Sequence, residues 1–228
     1  MLPLVMIPGM MCDARMWGTL PDALAPRPVI HALPTEHDTI PAIARAILDT
    51  APERFALAGL SMGGIVAMEM LAREPRRIER LALLDTNPLA EREEVRARRQ
   101  PQIDRALAGD LDAVMRDEMK PNYLADPDDG GVLDLCMDMA LSLGPEVFRR
   151  QSVALRERAD RTETLARFDG PALVLMGEHD RLCPRERHDL MHRLIPGSRL
   201  VVVRGAGHLP PLERPRETLD ALEEWLSA

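Results

Sequence analysis

The chain has 228 residues, of which 46% are hydrophobic and 29% charged, and its formal net charge is −8. That length supports one well-buried core, and no stretch combines low hydrophobicity with high net charge in the manner of disordered segments. The acidic balance argues against a phosphate-binding surface, which needs clustered Lys and Arg, so no nucleic-acid partner is expected.

The cations are nearly all Arg, Lys120 being the one lysine, and Ala, Gly and Pro are abundant, a bias that suggests a GC-rich bacterial genome. Cys12, Cys136 and Cys183 are odd in number and form no C-x-x-C pair, which fits a reducing compartment better than a disulfide framework. The first residues lack a basic n-region, and their apolar run is broken by Pro8 and Gly9 well short of a membrane span. A cytoplasmic protein without membrane association, monomeric or homodimeric, is the expectation.

In chain order, short β-branched or Leu-rich runs alternate with helical patterns, the sequence form of β-α repeats around a parallel sheet buried on both faces. Strands are predicted at 2–7, 28–32, 55–60, 80–84, 172–177 and 199–203, and helices at 14–24, 40–50, 61–73, 185–194 and 215–226. In the last helix Leu219, Leu222 and Leu226 share one face while Arg216, Asp220 and Glu224 share another, so it should lie against the sheet.

Between about Asn87 and Phe168 the alternation stops and four helical patterns follow one another. This reads as a helical cap at 87–168, inserted after the fourth strand of an α/β core at 1–86 and 169–228. Within it, Asp134, Asp138 and Ser142 make one narrow polar stripe on an otherwise apolar helix, which must be covered on most of its circumference. The preceding Pro127-Asp128-Asp129-Gly130-Gly131 is a turn or hinge by composition.

The chemistry concentrates at strand ends. Gly59-Leu60-Ser61-Met62-Gly63 matches G-x-S-x-G, with an apolar strand running in and an apolar helix running out. The flanking glycines suit a sharp strand-to-helix turn in which side chains two positions away would strike neighbouring backbone, and Gly64 and Ala67 permit close helix packing. A serine hydroxyl needs a base, and the base an orienting acid. His208, in Gly205-Ala206-Gly207-His208, follows the last strand, and Asp180, in Gly177-Glu178-His179-Asp180, follows the strand before it. Asp85, after the fourth strand, is the alternative acid. Glu178 and His179 are expected to point elsewhere, and His31, His37, His188 and His192 are read as surface or structural residues.

A tetrahedral intermediate needs oxyanion donors, assigned to the amides of Met62 and Met10, with Met11 the neighbouring alternative. Met11, Met137 and Met139 are candidate substrate-binding residues, although methionine also fills cores in a chain with so few aromatics. His188 and His192 are spaced i, i+4, but Asp189 stands where a zinc hydrolase needs Glu and no third ligand is evident; a solvated helix face is the better reading, and no metal site is assigned.

Through Pro8-Gly9, Gly59-Leu60-Ser61-Met62-Gly63-Gly64, the Gly177-Glu178-His179-Asp180 turn and Gly205-Ala206-Gly207-His208, the chain resembles the α/β-hydrolase superfamily along nearly its whole length. It looks most like the capped esterases, which include carboxylesterases, enol-lactonases and methyl esterases acting on acyl carriers. The resemblance implies an α/β-hydrolase fold with a reduced, mostly parallel sheet of about six strands flanked by helices, hydrolysis of small carboxylic esters through an acyl-enzyme on Ser61, and no cofactor. Relatives commonly carry His-Gly where this chain has Pro8-Gly9, which bears on loop detail because backbone donation needs no histidine. A lactonase or C–C bond hydrolase with the same triad, or a ligand receptor with a vestigial one, are the competing readings.

Overall fold

A computed structural model describes residues 1–127 and 129–228. Six strands, β1 (Leu4–Ile7), β2 (Val29–His31), β3 (Phe55–Leu60), β4 (Ile78–Leu84), β5 (Ala172–Gly177) and β6 (Arg199–Val203), form one sheet in the order β2-β1-β3-β4-β5-β6. Every neighbouring pair is parallel, so the expectation of a mostly parallel sheet tightens to an all-parallel one among the described residues. Parallel pairing puts all carboxyl ends on one edge, where ligands bind in open α/β sheets.

The alternation of side chains along each strand builds two cores. Val5, Ile7, Phe55, Leu57, Leu81 and Leu83 face one cluster, and Leu4, Met6, Ala56, Ala58, Ala82 and Leu84 face the other. The first is covered by the helices Ile40–Thr50, Met62–Arg73 and Arg185–Leu194, and the second by Trp17, Leu20 and the helix Pro215–Ser227 through Leu222 and Trp225. The helix Ile40–Thr50 starts where Thr39 accepts from the Ala42 amide at 3.2 Å, a cap worth about 1 kcal/mol. It buries Ile40, Ile43, Ala44, Ile47 and Leu48, the i, i+3, i+4 pattern of its sequence.

The helix expected over 14–24 is instead two short pieces, a 3₁₀ turn at Ala14–Trp17 and one α-turn at Leu20–Ala23. Gly18 between them has φ 54°, a left-handed conformation that ends a helix, and Pro21 cannot donate to a continuous one.

Between β4 and β5 the described residues hold helices and no strand, including Glu93–Arg105 and a long helix Gly130–Arg156 that turns at Gly144. Asp134, Asp138 and Ser142 are exposed on that helix, whereas Cys136, Met139 and Ala140 are buried. Of the turn expected over 127–131, Asp128 lies outside the described residues; Asp129 caps the helix by accepting from the Val132 amide. Among the described residues no helix is long and apolar enough to cross a membrane.

Candidate active site

Ser61 sits between β3 and the helix Met62–Arg73 with φ 54° and ψ −115°, a strained conformation for a residue with a Cβ. The surroundings hold it there: its amide donates to the Leu84 carbonyl at 2.9 Å, and the Thr86 hydroxyl donates to its carbonyl at 2.7 Å. A Cβ on Gly59 would overlap the Gly63 carbonyl, and one on Gly63 would overlap the Ile7 carbonyl. Backbone passes so closely here that only glycine fits at either position.

The His208 loop after β6 brings Nε2 to 2.9 Å from Ser61 Oγ, while Nδ1 lies 2.9 and 3.0 Å from the two Asp180 oxygens. Asp180 also accepts from the Leu182 and Cys183 amides at 2.8 and 3.0 Å. Burial opposes ionisation of Asp180, but the His208 charge and hydrogen bond, with the Cys183 and Leu182 amides, outweigh it and hold the carboxyl below its ordinary range. An ionised carboxylate only accepts, so in the neutral imidazole Nδ1 carries the proton and the Nε2 lone pair faces the serine hydroxyl.

Asp85, the alternative acid, makes no hydrogen bond to His208 among the described residues. Its Oδ1 accepts from the Gly177 amide at 2.8 Å, and its side chain is wholly buried beside the Asp180 carboxylate. Burial, and then the Asp180 charge, push its carboxyl well above the ordinary range. Glu178 and His179 are exposed, Glu178 accepting from the Gly205 amide at 3.0 Å.

A cavity of about 470 Å³ opens over Ser61, and Met10, Met62 and His208 line it. Neither the Met10 nor the Met62 amide makes a hydrogen bond among the described residues, and the Met62 amide lies in the first turn of its helix, where N–H groups lack intrahelical partners and the helix dipole favours negative charge. The Met11 amide is not available: it donates to Gln151 Oε1 at 2.8 Å, and the Gln151 amide donates in turn to the Pro34 carbonyl.

Met11, Met137 and Met139, the candidate substrate-binding residues, are not among the residues that line the cavity. Met11 and Met139 are fully packed in the two cores, with Met139 Sδ accepting from the Asp13 amide, and Met137 packs against the first core. The methionine that does line the cavity from the helical stretch is Met119.

His188 is corrected. It is wholly buried, and burial lowers its pKa to about 4, so it is not on a solvated face. The exposed His192 instead meets Ser198 Oγ at 2.8 Å. His188 has ligand atoms within 4.8 Å of those of Asp85 and Asp180, as Cys183 does of those of Asp180 and His208. Either set would need Asp180, already engaged by a histidine and two amides. Cys12 and Cys183 line the cavity too, but burial pushes both thiols well above their ordinary pKa, so neither supplies a thiolate nucleophile.

Several residues at the site have no local sequence signal. The Glu213 carboxylate accepts from the amides of Gly207, Leu209 and Ala125, and the Tyr123 carbonyl accepts from the His208 amide at 2.6 Å, so the helical stretch and the chain after β6 jointly hold the histidine loop. Glu91, Arg99 and Arg158 line the cavity from the stretch read only as a cover.

A model described as the Alpha/beta hydrolase family matches residues 4–221. The chain belongs to that family. The chain is 27% identical over 157 residues to the pimeloyl-[acyl-carrier protein] methyl ester esterase of Neisseria meningitidis, a match spanning 67% of this chain and 61% of that relative. It is 25% identical over 235 residues to the same-named enzyme of Cronobacter sakazakii, covering 96% and 90% of the two chains. Of solved structures, a thermophilic esterase from Thermogutta terrifontis with malate bound superposes with a TM-score of 0.89 at 28% identity, covering 100% of this chain and 90% of that one. The enol-lactonase of Burkholderia xenovorans, at 24% identity and a TM-score of 0.88, shares the fold over 100% of this chain and 92% of its own.

Proposed function

We propose that this alpha/beta hydrolase is a serine esterase that cleaves small carboxylic esters through an acyl-enzyme on Ser61. The observation that carries the reading is the unbroken hydrogen-bond path Ser61 Oγ to His208 Nε2, and His208 Nδ1 to Asp180. The names of the Neisseria and Thermogutta relatives support the reaction class.

In the first half-reaction His208 takes the Ser61 proton as Oγ attacks the ester carbonyl. Asp180 stabilises the imidazolium that results. The Met62 and Met10 amides receive the developing oxyanion, His208 returns the proton to the leaving alcohol, and water attacks the acyl-enzyme by the reverse sequence. The strained Ser61 backbone keeps Oγ raised toward the cavity, so no rotation of the turn is needed at the moment of attack. Residues 87–168 serve as the cap in this reading, which is supported by Met119, Tyr123 and Leu155 lining the cavity. Three buried thiols without disulfides support a cytoplasmic setting.

Labelling with a fluorophosphonate should modify Ser61, and Ser61→Ala should reduce kcat on chromogenic short-chain esters by about 10⁴-fold or more. Undiminished turnover in that variant, or label mapping to another residue, overturns the assignment.

A further inference from the structure

In a protein of net charge −8, the cavity over Ser61 is lined by six arginines against two glutamates. Two of these arginines are built into its wall. Glu91 is gripped between Arg99 and Arg158, which bond to opposite oxygens of its carboxylate, and the three side chains are only 4%, 10% and 8% exposed respectively. Two guanidinium groups against one carboxylate leave one positive charge uncompensated and largely desolvated, an arrangement that costs stability unless something else meets it.

The spare donors are identifiable. Arg158 uses Nε on the Leu89 carbonyl and Nη1 on Glu91, and Arg99 uses Nε on Glu91 with Nη1 3.9 Å from Met10 Sδ; Nη2 of each makes no hydrogen bond among the described residues. The contact with Met10 places Arg99 beside the side chain of a residue assigned to the oxyanion hole, in the same cavity as Ser61. We infer that the cavity binds esters bearing a carboxylate a few carbons from the scissile bond, held by Arg99 and Arg158 with Glu91 as their brace. One planar carboxylate supplies the single negative charge the wall lacks and two oxygens for its two free donors. This substrate class rests on the esterase reading of Ser61, whereas the anion site itself does not.

The test separates the two. Binding is measured by calorimetry in Ser61→Ala, where no turnover intervenes, for methyl hydrogen glutarate against methyl pentanoate, which places the carboxylate on the acyl side, and for γ-acetoxybutyrate against butyl acetate, which places it on the alcohol side. One anionic ester of the two should bind about tenfold or more tightly than its neutral partner, the effect of a charge-assisted hydrogen-bonded pair. Adding Arg158→Met should bring that preference close to unity. Equal affinity within both pairs overturns the inference, and this comparison decides even if the arginine variant fails to fold. A preference that survives Arg158→Met also overturns it. An anionic preference in a protein that hydrolyses no ester leaves the anion site standing and removes the esterase reading; hydrolysis of neutral esters without any anionic preference does the reverse.

Discussion

Asp85 and Asp180 stand at the ends of adjacent strands, and their surroundings drive their ionisation in opposite directions. Asp180 collects a histidine and two amide donors, whereas Asp85 receives one amide and faces both a second carboxylate and the buried ring of His188. The consequence for Asp85 is a pH dependence of stability. Its folded pKa is raised by burial and by Asp180, so on raising the pH the unfolded chain gives up this proton first, near the ordinary value of about 4. Stability therefore falls as pH rises from there toward the folded pKa. Asparagine keeps the acceptor for the Gly177 amide and removes the titration. Asp85→Asn should thus raise the Tm by about 2–4 °C at neutral pH, the shift that ~1 kcal/mol produces in a domain of this size. The gain should shrink toward pH ~4 in thermal or urea unfolding followed across a pH series; a constant difference would remove Asp85 as its source.

At the scale of elements, the decisive junction is the one between β3, β1 and the helix Met62–Arg73. The helix begins so close to β1 that Gly63 lies against the Ile7 carbonyl, and this closeness sets the first-turn amide of Met62 beside the cavity. Gly63→Ala would force the helix start away from the sheet. The expected cost is about 1–3 kcal/mol by chemical denaturation, as for other overpacked sites. Ester turnover should fall further than the folded fraction does, because the Met62 amide moves with the helix; kcat unchanged in a fully folded variant would argue against a role for that amide. Over 14–24 the apolar spacing is helical, but Gly18 and Pro21 are local signals that outweigh periodicity and divide the segment into two short turns.

At the scale of the molecule, the helical stretch after β4 does not form a core of its own. Ile103, Val114, Ala140 and Phe148 belong to the same cluster as Val5, Phe55 and Leu83 of the sheet. Phe148 is wholly buried there. Phe148→Ala should cost about 3–5 kcal/mol, and the loss should appear in one transition shared by far-ultraviolet circular dichroism and by the fluorescence of Trp17 and Trp225, which report the opposite core. Two separated transitions would mean that residues 87–168 unfold alone.

The strands, their parallel arrangement and the positions of Ser61, Asp180 and His208 at one sheet edge were legible in the chain itself, because periodicity, glycine placement and strand-to-loop order are local properties written in neighbouring residues. Whether Asp85 or Asp180 meets the histidine, whether the Met11 amide is free, and which methionines face the cavity depended on contacts between residues far apart in sequence. Gln151 engages Met11 across 140 positions, and Glu91 joins Arg158 across 67. No local pattern encodes such pairings. They arise only in the packed chain, where the helix Arg185–Leu194 lies on the sheet with His188 buried beside Asp85 and Asp180, and where Arg92, Arg98, Arg99 and Arg158 of the helical stretch line the cavity over the serine.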